Sequence, residues 1–145
     1  MARAEDGNYA MNSDGMVVLE SAYGPSETAN RLVAAIGEHG MAVMARVDHA
    51  AAAAKVGLDL RPTEVLMFGN PRGGTPLMQV AQTAGIDLPL KALVWQDAAG
   101  KTWLSYNDPA WLAKRHALPA AVDATVKALS AMLKAVTTAA TAPQQ

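Results

Sequence analysis

The nonapeptide FGNPRGGTP, at residues 68–76, has the residue types of a turn that could bind a ligand. It follows the apolar run TEVLM and precedes a helical pattern, so it predicts a passage from a strand to a helix. Gly73 and Gly74 would let the backbone approach a ligand, and Thr75 would cap the helix. Because a helix N-terminus offers unpaired N–H groups and Arg72 adds a fixed charge, the turn suits a small anion.

Three better-known motifs are excluded in this stretch, because each lacks a residue that its chemistry requires. Gly69 and Gly74 have the glycine spacing of a Walker loop, but that motif needs lysine directly after the second glycine, and Thr75 stands there instead. The dinucleotide pattern Gly-x-Gly-x-x-Gly does not occur in it, and a nucleophile elbow would need a serine. A purely structural interpretation stays open, in which Asn70-Pro71 forms a turn and Thr75 only caps a helix.

Composition narrows the class of protein. The chain has 145 residues, of which 51% are hydrophobic and 17% charged, so it should form a packed core. With a net charge of −1 and no basic run, it does not resemble a nucleic-acid-binding protein. The absence of cysteine excludes disulfides, thiol nucleophiles, iron–sulfur clusters and cysteine-ligated zinc. No apolar run reaches about 18 residues, so we expect no membrane span.

The elements that would position the turn follow from apolar periodicity and from helix start and stop signals. They predict the order β-α-β-α-β-α-β-β-α-α, which ends in two helices after a β-hairpin at 91–107. The hairpin requires antiparallel pairing. We therefore predict an α+β fold, with helices packed on a mixed sheet of about five strands. The last helix, predicted at 120–138, carries an apolar stripe at spacings of three and four residues.

Three segments are predicted along the chain: a flexible leader at 1–15, one domain at 16–138 and a frayed tail at 139–145. The leader contains Ala2-Arg3-Ala4 directly before two acidic residues. Small residues at this spacing are typical of the region just before a signal-peptidase site, which slightly favours export to the periplasm over a cytoplasmic location.

Most of the chain resembles a known family. The stretches FGNP and GTPLM, then GIDLPLKALVW, the hairpin DAAGKTWLSYNDP and the earlier DHAAAAKVGL are together similar to the family catalogued as domain of unknown function 302. The resemblance extends from about Met16 to His116. It implies a small α+β domain of bacteria and archaea that is often a homodimer. It implies no established reaction, substrate or cofactor.

The resemblance also singles out polar positions for a site. They are His49, Asn70, Pro71, Thr75, Tyr106 and Asn107. Several of these residues end or follow predicted strands, so they would converge in one cleft if those strand ends are neighbours. His49 is the candidate acid–base group, since its imidazole titrates near neutrality, and Tyr106 is a candidate hydrogen-bond donor. Simpler roles stay open, as a helix-start histidine and as a packing tyrosine.

A metal site is not expected. The segment HGMAVMARVDH contains methionines and histidines that could bind a soft metal ion. Met41 and Met44 are three residues apart in a predicted strand, and alternation would place them on opposite faces. Methionine at core positions is more often a filler of irregular space.

Three functions are compatible with these features. The first is a binding protein that holds a small, anionic ligand, without a cofactor, through Asn70, Arg72, Gly73, Gly74, Thr75 and Asn107. The second is an enzyme that uses His49 as acid or base, with Tyr106 or Asn107 positioning the substrate. The third is a dimeric interaction module, in which the tryptophans at positions 95, 103 and 111 would anchor a core or a dimer face.

Overall fold

The computed structural model describes Ala2–Arg3, Tyr9–Met11 and residues 14–144, of which the first two segments are described as backbone only. The described strands are β1 (Ala2–Arg3), β2 (Tyr9–Met11), β3 (Met16–Glu20), β4 (Ala42–Asp48), β5 (Thr63–Gly69), β6 (Leu90–Gln96) and β7 (Thr102–Asn107). The α-helices are α1 (Pro25–Glu38), α2 (His49–Lys55), α3 (Pro71–Val80), α4 (Pro109–Arg115) and α5 (Asp123–Thr141). Two 3₁₀ helices lie at Gln82–Asp87 and Ala120–Val122. From Met16 onward this is the predicted order, and the α+β fold is confirmed.

The strands form one sheet in the order β1-β2-β3-β7-β6-β5-β4. Each neighbouring pair is antiparallel. The prediction that the sheet would be mixed is therefore wrong in its strand directions. Alternating strands and helices suggested parallel crossovers, and a crossover helix must bury an apolar face on the sheet. Helix α2 has no buried residue and α3 buries only Leu77, so neither serves as such a crossover.

Helices α1 and α5 cover one face of this sheet. Their buried side chains, including Leu32, Ile36, Leu133 and Val136, share a core with Phe68 and its neighbours. The strand residues in this core alternate along β5, β6 and β7, as expected for a sheet with one covered face. They are Leu66, Phe68, Leu90, Ala92, Val94, Leu104 and Tyr106.

The opposite face carries a second set of apolar side chains. Val65, Leu93 and Trp95 are half-buried there and belong to neither core cluster of the molecule. The rings of Trp95 and Trp103, which face each other across the hairpin, are stacked with centroids 6.0 Å apart. This face is less completely covered than the helical one.

The predicted hairpin is formed by β6 and β7, and Asp97 organises its turn. The Asp97 carboxylate accepts hydrogen bonds from Trp103 Nε1 at 2.9 Å and from the backbone N–H groups of Ala99 and Lys101, each at 2.9 Å. The hydrogen bond from Trp103, followed by that from the Lys101 amide, lowers the pKa of Asp97 below its ordinary value. The turn is thus fixed by one side chain.

Both chain ends differ from the predicted leader and tail. β1 and β2 fall within the predicted leader and extend the sheet beyond β3. Much of the rest of that segment lies outside the described residues, including Ala4 of the predicted export signal. The predicted fraying from residue 139 is wrong as far as Thr141, because α5 continues to that residue and Ala140 and Thr141 are buried. None of the helices in the described residues combines the length and the hydropathy needed to cross a membrane.

Among the described glycines, Gly15 leaves the least space for a side chain. Its φ is +80°, and a Cβ built on it would lie 2.3 Å from the Cβ of Trp111. Its carbonyl accepts a hydrogen bond of 2.9 Å from the Asp108 amide, which joins the start of β3 to the start of α4. Only glycine allows this approach.

Replacing Gly15 by alanine should lower the free energy of unfolding by about 2–5 kcal/mol, since the new methyl group adds overpacking to an unfavourable φ. Gly100→Ala is the matched control, because Gly100 has a φ of +84° but open space around its Cβ position. We expect it to cost only about 1–2 kcal/mol. Denaturant unfolding measures both, and equal losses would contradict the packing role of Gly15.

Candidate functional site

Asn70 caps helix α3 and organises the turn that follows β5. Its Oδ1 accepts a hydrogen bond from the Arg72 amide at 2.9 Å, and its carbonyl accepts from the amides of Gly73 and Gly74 at 2.9 and 3.2 Å. The prediction that Thr75 caps the helix is wrong, since α3 begins at Pro71. Because the first amides of α3 already have acceptors, they do not form the predicted open cradle for an anion.

The two glycines of the turn allow helices to pack closely. They lie inside α3, and a Cβ on Gly73 would come within 3.2 Å of Leu129 Cδ2 on α5. A Cβ on Gly74 would lie 3.6 Å from Leu88 Cδ1. The sequence predicted that these glycines let the backbone approach a ligand, and the structure shows that they also leave space for neighbouring side chains. Gly73 thereby allows α3 to lie close to α5.

A cleft of about 690 Å³ lies beside this contact, between α3, α5 and the start of β4. Its volume is in the range of small-molecule binding sites. The turn residues line it, namely Asn70, Arg72, Gly73, Gly74 and Thr75. The rest of the lining is largely apolar, and it includes four methionines, Met41, Met44, Met78 and Met132. Ala124 and Ala128 contribute small side chains from α5.

A β-bulge brings Met44 into this cleft. Val43 pairs with Phe68 and Ala45 pairs with Met67, so Met44 has no partner on β5. The extra residue reverses the alternation of side chains along β4. The expectation that Met41 and Met44 lie on opposite faces is therefore wrong, since both line the cleft.

The cleft has one full positive charge and no acidic side chain in its described lining. That charge belongs to Arg72, an exposed residue whose guanidinium has no hydrogen-bond or ion-pair partner among the described residues. His39 also lines the cleft, and its Nδ1 lies 2.9 Å from the Ala35 carbonyl. Among the described residues, no group of three or more His, Asp or Glu side chains is placed to hold a metal ion.

The remaining predicted site residues do not join the cleft. His49 is exposed at the start of α2, at the opposite end of β4 from Ala42, which pairs with Gly69. Six residues of strand separate these ends by about 20 Å. The predicted convergence of His49 with the turn is therefore wrong.

Tyr106 and Asn107 lie in β7, two strands away from β5. The pairs Leu66–Ala92 and Ala92–Tyr106 place Tyr106 level with the middle of β5 and not with Asn70 at its end. Two strand spacings correspond to about 10 Å, and the four residues from Leu66 to Asn70 add about 13 Å along the strand. Tyr106 is buried in the core beneath the helices, whereas Asn107 is exposed, and neither lines the cleft.

A second polar cluster escaped sequence analysis, because its members are far apart in the chain. Asp87 Oδ2 lies 2.5 Å from His116 Nε2, and His116 Nδ1 lies 3.0 Å from Thr83 Oγ1. Arg115 Nη1 contacts both oxygens of Asp87, at 2.9 and 3.1 Å. These groups do not line the cleft, and they tie the end of α4 to the 3₁₀ helix that follows α3.

Comparison with solved structures supports the fold. The chain is similar to a crystal structure of an uncharacterized conserved protein DUF302 from Bacillus stearothermophilus, with a TM-score of 0.78 and 21% identity. The match covers 87% of this chain and 98% of that one. At this identity the likeness shows a shared fold.

Curated relatives share more sequence over part of their length. Proteins named fluoride-specific ion channel FluC 1 from Brucella suis biovar 1 and from Brucella abortus biovar 1 are each 50% identical to this chain over 115 residues. These matches cover 79% of this chain but 45% and 43% of the two relatives. This chain therefore spans less than half the length of the curated relatives that it matches.

The family comparison covers most of the fold described above. The family model described as domain of unknown function DUF302 matches residues 17–136, which run from β3 to most of α5. The turn, the cleft and the hairpin all lie within this range. The chain belongs to the DUF302 family.

Proposed function

We propose that this protein is a binding domain that holds a small, mainly apolar ligand in the cleft between α3 and α5. The observation that carries the proposal is the cleft of about 690 Å³ beside the capped start of α3. A cleft of this size with mostly apolar walls and a few polar groups is the usual form of a small-molecule site. Asn70, Thr75 and Arg72 would supply the polar groups at its rim.

The methionines suit this role because their side chains are unbranched and adaptable. Met44, Met78 and Met132 belong to β4, α3 and α5, and Met41 lies just before β4. No single element therefore determines the shape of the cleft. Met44 is 53% exposed, which leaves apolar surface in contact with solvent when the cleft is empty. A bound apolar group would remove that surface from water and thereby gain binding free energy.

The enzyme alternative has less support. It requires an acid–base group beside a substrate cavity, and the candidate His49 lies at the opposite end of β4 from the cleft. Tyr106 is buried in the core and does not face the cleft. The binding role needs no such group.

Blocking the cleft provides the test. Ala128 is exposed and lines the cleft, so Ala128→Phe should fill it without disturbing the core. We expect wild-type protein to bind the neutral dye N-phenyl-1-naphthylamine at one saturable site, and the variant to bind it at least about tenfold more weakly, a loss of about 1.4 kcal/mol. Ala131→Phe is the matched control, since Ala131 is exposed on the same helix but does not line the cleft. Equal affinities in fluorescence titrations of the two variants would contradict the proposal.

Self-association is a second candidate property. Its proposed surface is the sheet face opposite α1 and α5. Leu93 lies near the middle of this face, between Val65 and Ser105 in the sheet register. With the stacked pair Trp95 and Trp103 beside it, this face offers aromatic anchors of the kind found at interfaces. A homodimer would bury these side chains against their symmetry mates.

Replacing Leu93 by aspartate should therefore weaken a dimer, because each copy would place an unpaired carboxylate in the interface. We expect the sedimentation coefficient of wild-type protein to rise with concentration in the micromolar range, and that rise to disappear in the variant. Leu58→Asp is the control, since Leu58 is 64% exposed in the loop after α2. A wild-type protein that stays monomeric at these concentrations would exclude the dimer.

The relatives suggest where such a domain acts. They are named as fluoride-specific ion channels, and this chain matches less than half of their length. No helix in the described residues could span a membrane. We therefore propose an accessory role beside a channel, with fluoride conduction assigned to the part of the relatives that this chain does not match.

This role predicts that the domain itself does not bind fluoride. Fluoride would lose its hydration in the cleft, and the largely apolar lining offers few groups to replace it. Fluoride up to millimolar concentrations should leave the melting temperature unchanged relative to chloride at equal ionic strength. A saturable increase specific to fluoride would contradict the assignment.

In the Brucella suis relative, deletion of the matching segment should leave fluoride flux measurable in proteoliposomes. Complete loss of flux from a folded variant would also contradict the assignment.

A further inference from the structure

We propose that the ligand of the cleft is a single-chain anionic amphiphile, with its head group at Arg72 and its alkyl chain among the methionines. This inference rests on the proposed binding function and adds the chemical class of the ligand. It depends on three features of the described residues: an unpaired cation, a largely apolar lining and hydrogen-bonded amides at the start of α3.

The charge of the cleft selects the sign of the head group. Arg72 is the one residue of its described lining with a full charge, and its guanidinium has no partner among the described residues. With no carboxylate in the described lining to compete, an anionic head would gain charge-assisted hydrogen bonds. A cationic head would meet repulsion from Arg72 and no compensating group.

The hydrogen bonds of Asn70 argue against a compact polyanion such as a nucleotide phosphate. The amides of Arg72, Gly73 and Gly74 are already bonded to Asn70 oxygens. A phosphate cradle requires such amides to point freely at the ligand. The head group must therefore be held by a side chain at the rim, which suits a single negative charge on a mainly apolar molecule.

The rest of the cleft fits an alkyl chain better than a flat or polar molecule. Two of its lining residues on α5, Ala124 and Ala128, have small side chains, which leave room for a groove beside α3. Met41, Met44 and Met132 line the groove, and thioether side chains can adjust to a flexible chain. Because the bulge in β4 directs Met44 here while leaving it 53% exposed, the groove has an apolar wall that a chain would cover.

The experiment compares three ligands with equal chains at concentrations below those at which they self-associate. They are decanoate, decanol and decyltrimethylammonium, titrated by displacement of the neutral dye. We expect decanoate to bind wild-type protein most tightly and the cationic ligand least tightly. Raising the salt concentration should weaken the binding of decanoate but not of decanol, because salt screens an exposed ion pair.

Replacing Arg72 by glutamine should weaken decanoate about threefold to fivefold, as for an exposed ion pair, and leave decanol and the dye unchanged. The unchanged dye affinity shows that the variant keeps its cleft. Lys127→Gln is the matched control, since Lys127 is an exposed cation on α5 that does not line the cleft. It should bind all three ligands as wild-type protein does.

The outcomes separate this inference from the proposed function. If decanol binds as tightly as decanoate, or Arg72→Gln has no effect, while Ala128→Phe still blocks dye binding, the cleft binds a ligand and the anionic class is overturned. If no ligand binds and Ala128→Phe is neutral, the proposed function fails as well. If the protein is a dimer that Ala128→Phe dissociates, the cleft is occupied by a second copy, and both proposals are overturned.

Discussion

The cleft depends on the hydrogen bonds of one side chain, Asn70. Its Oδ1 caps α3 through the Arg72 amide, while its Nδ2 donates to the Gly40 carbonyl at 3.3 Å, just before β4. A single amide therefore fixes where α3 begins relative to the edge strand of the sheet. From that start, α3 runs close to α5 because Gly73 has no Cβ to meet Leu129. The cleft is the space left beside this contact.

Burial of one sheet face explains why such a space exists at the edge of the molecule. Helices α1 and α5 cover the middle of the sheet, where Phe68, Leu104 and Leu133 are almost fully buried. Edge strand β4 is mostly exposed along its length, and α3 buries only Leu77. The edge is thus the part of the fold where the fewest apolar contacts fix the side chains, and local openings are least costly there.

Sequence patterns predicted those elements whose signals are local. Strand β5 contains the apolar run TEVLM that predicted a strand before the turn, and the hairpin and the apolar stripe of α5 were also correctly located. The start of α3 was predictable, because Asn70-Pro71 has the same N-cap and N1-proline pattern as Asp108-Pro109. It was nevertheless placed too late in the chain, at Thr75. Two glycines after it suggested a loop. Strand direction and the bulge at Met44 have no comparable local signal, since both are decided by tertiary packing.

The residues that the sequence singled out show why a search for chemistry located the rim of the cleft but not its walls. Asn70 is a helix cap, and Pro71 and His49 are the first residues of α3 and α2. Each has a structural reason to be polar or rigid that needs no ligand. The walls of the cleft are mostly methionines, alanines and leucines, which in a sequence are indistinguishable from core residues. For a site that binds through apolar contact, the informative signal is therefore the exposure of residues such as Met44, and exposure is known only once the fold is known.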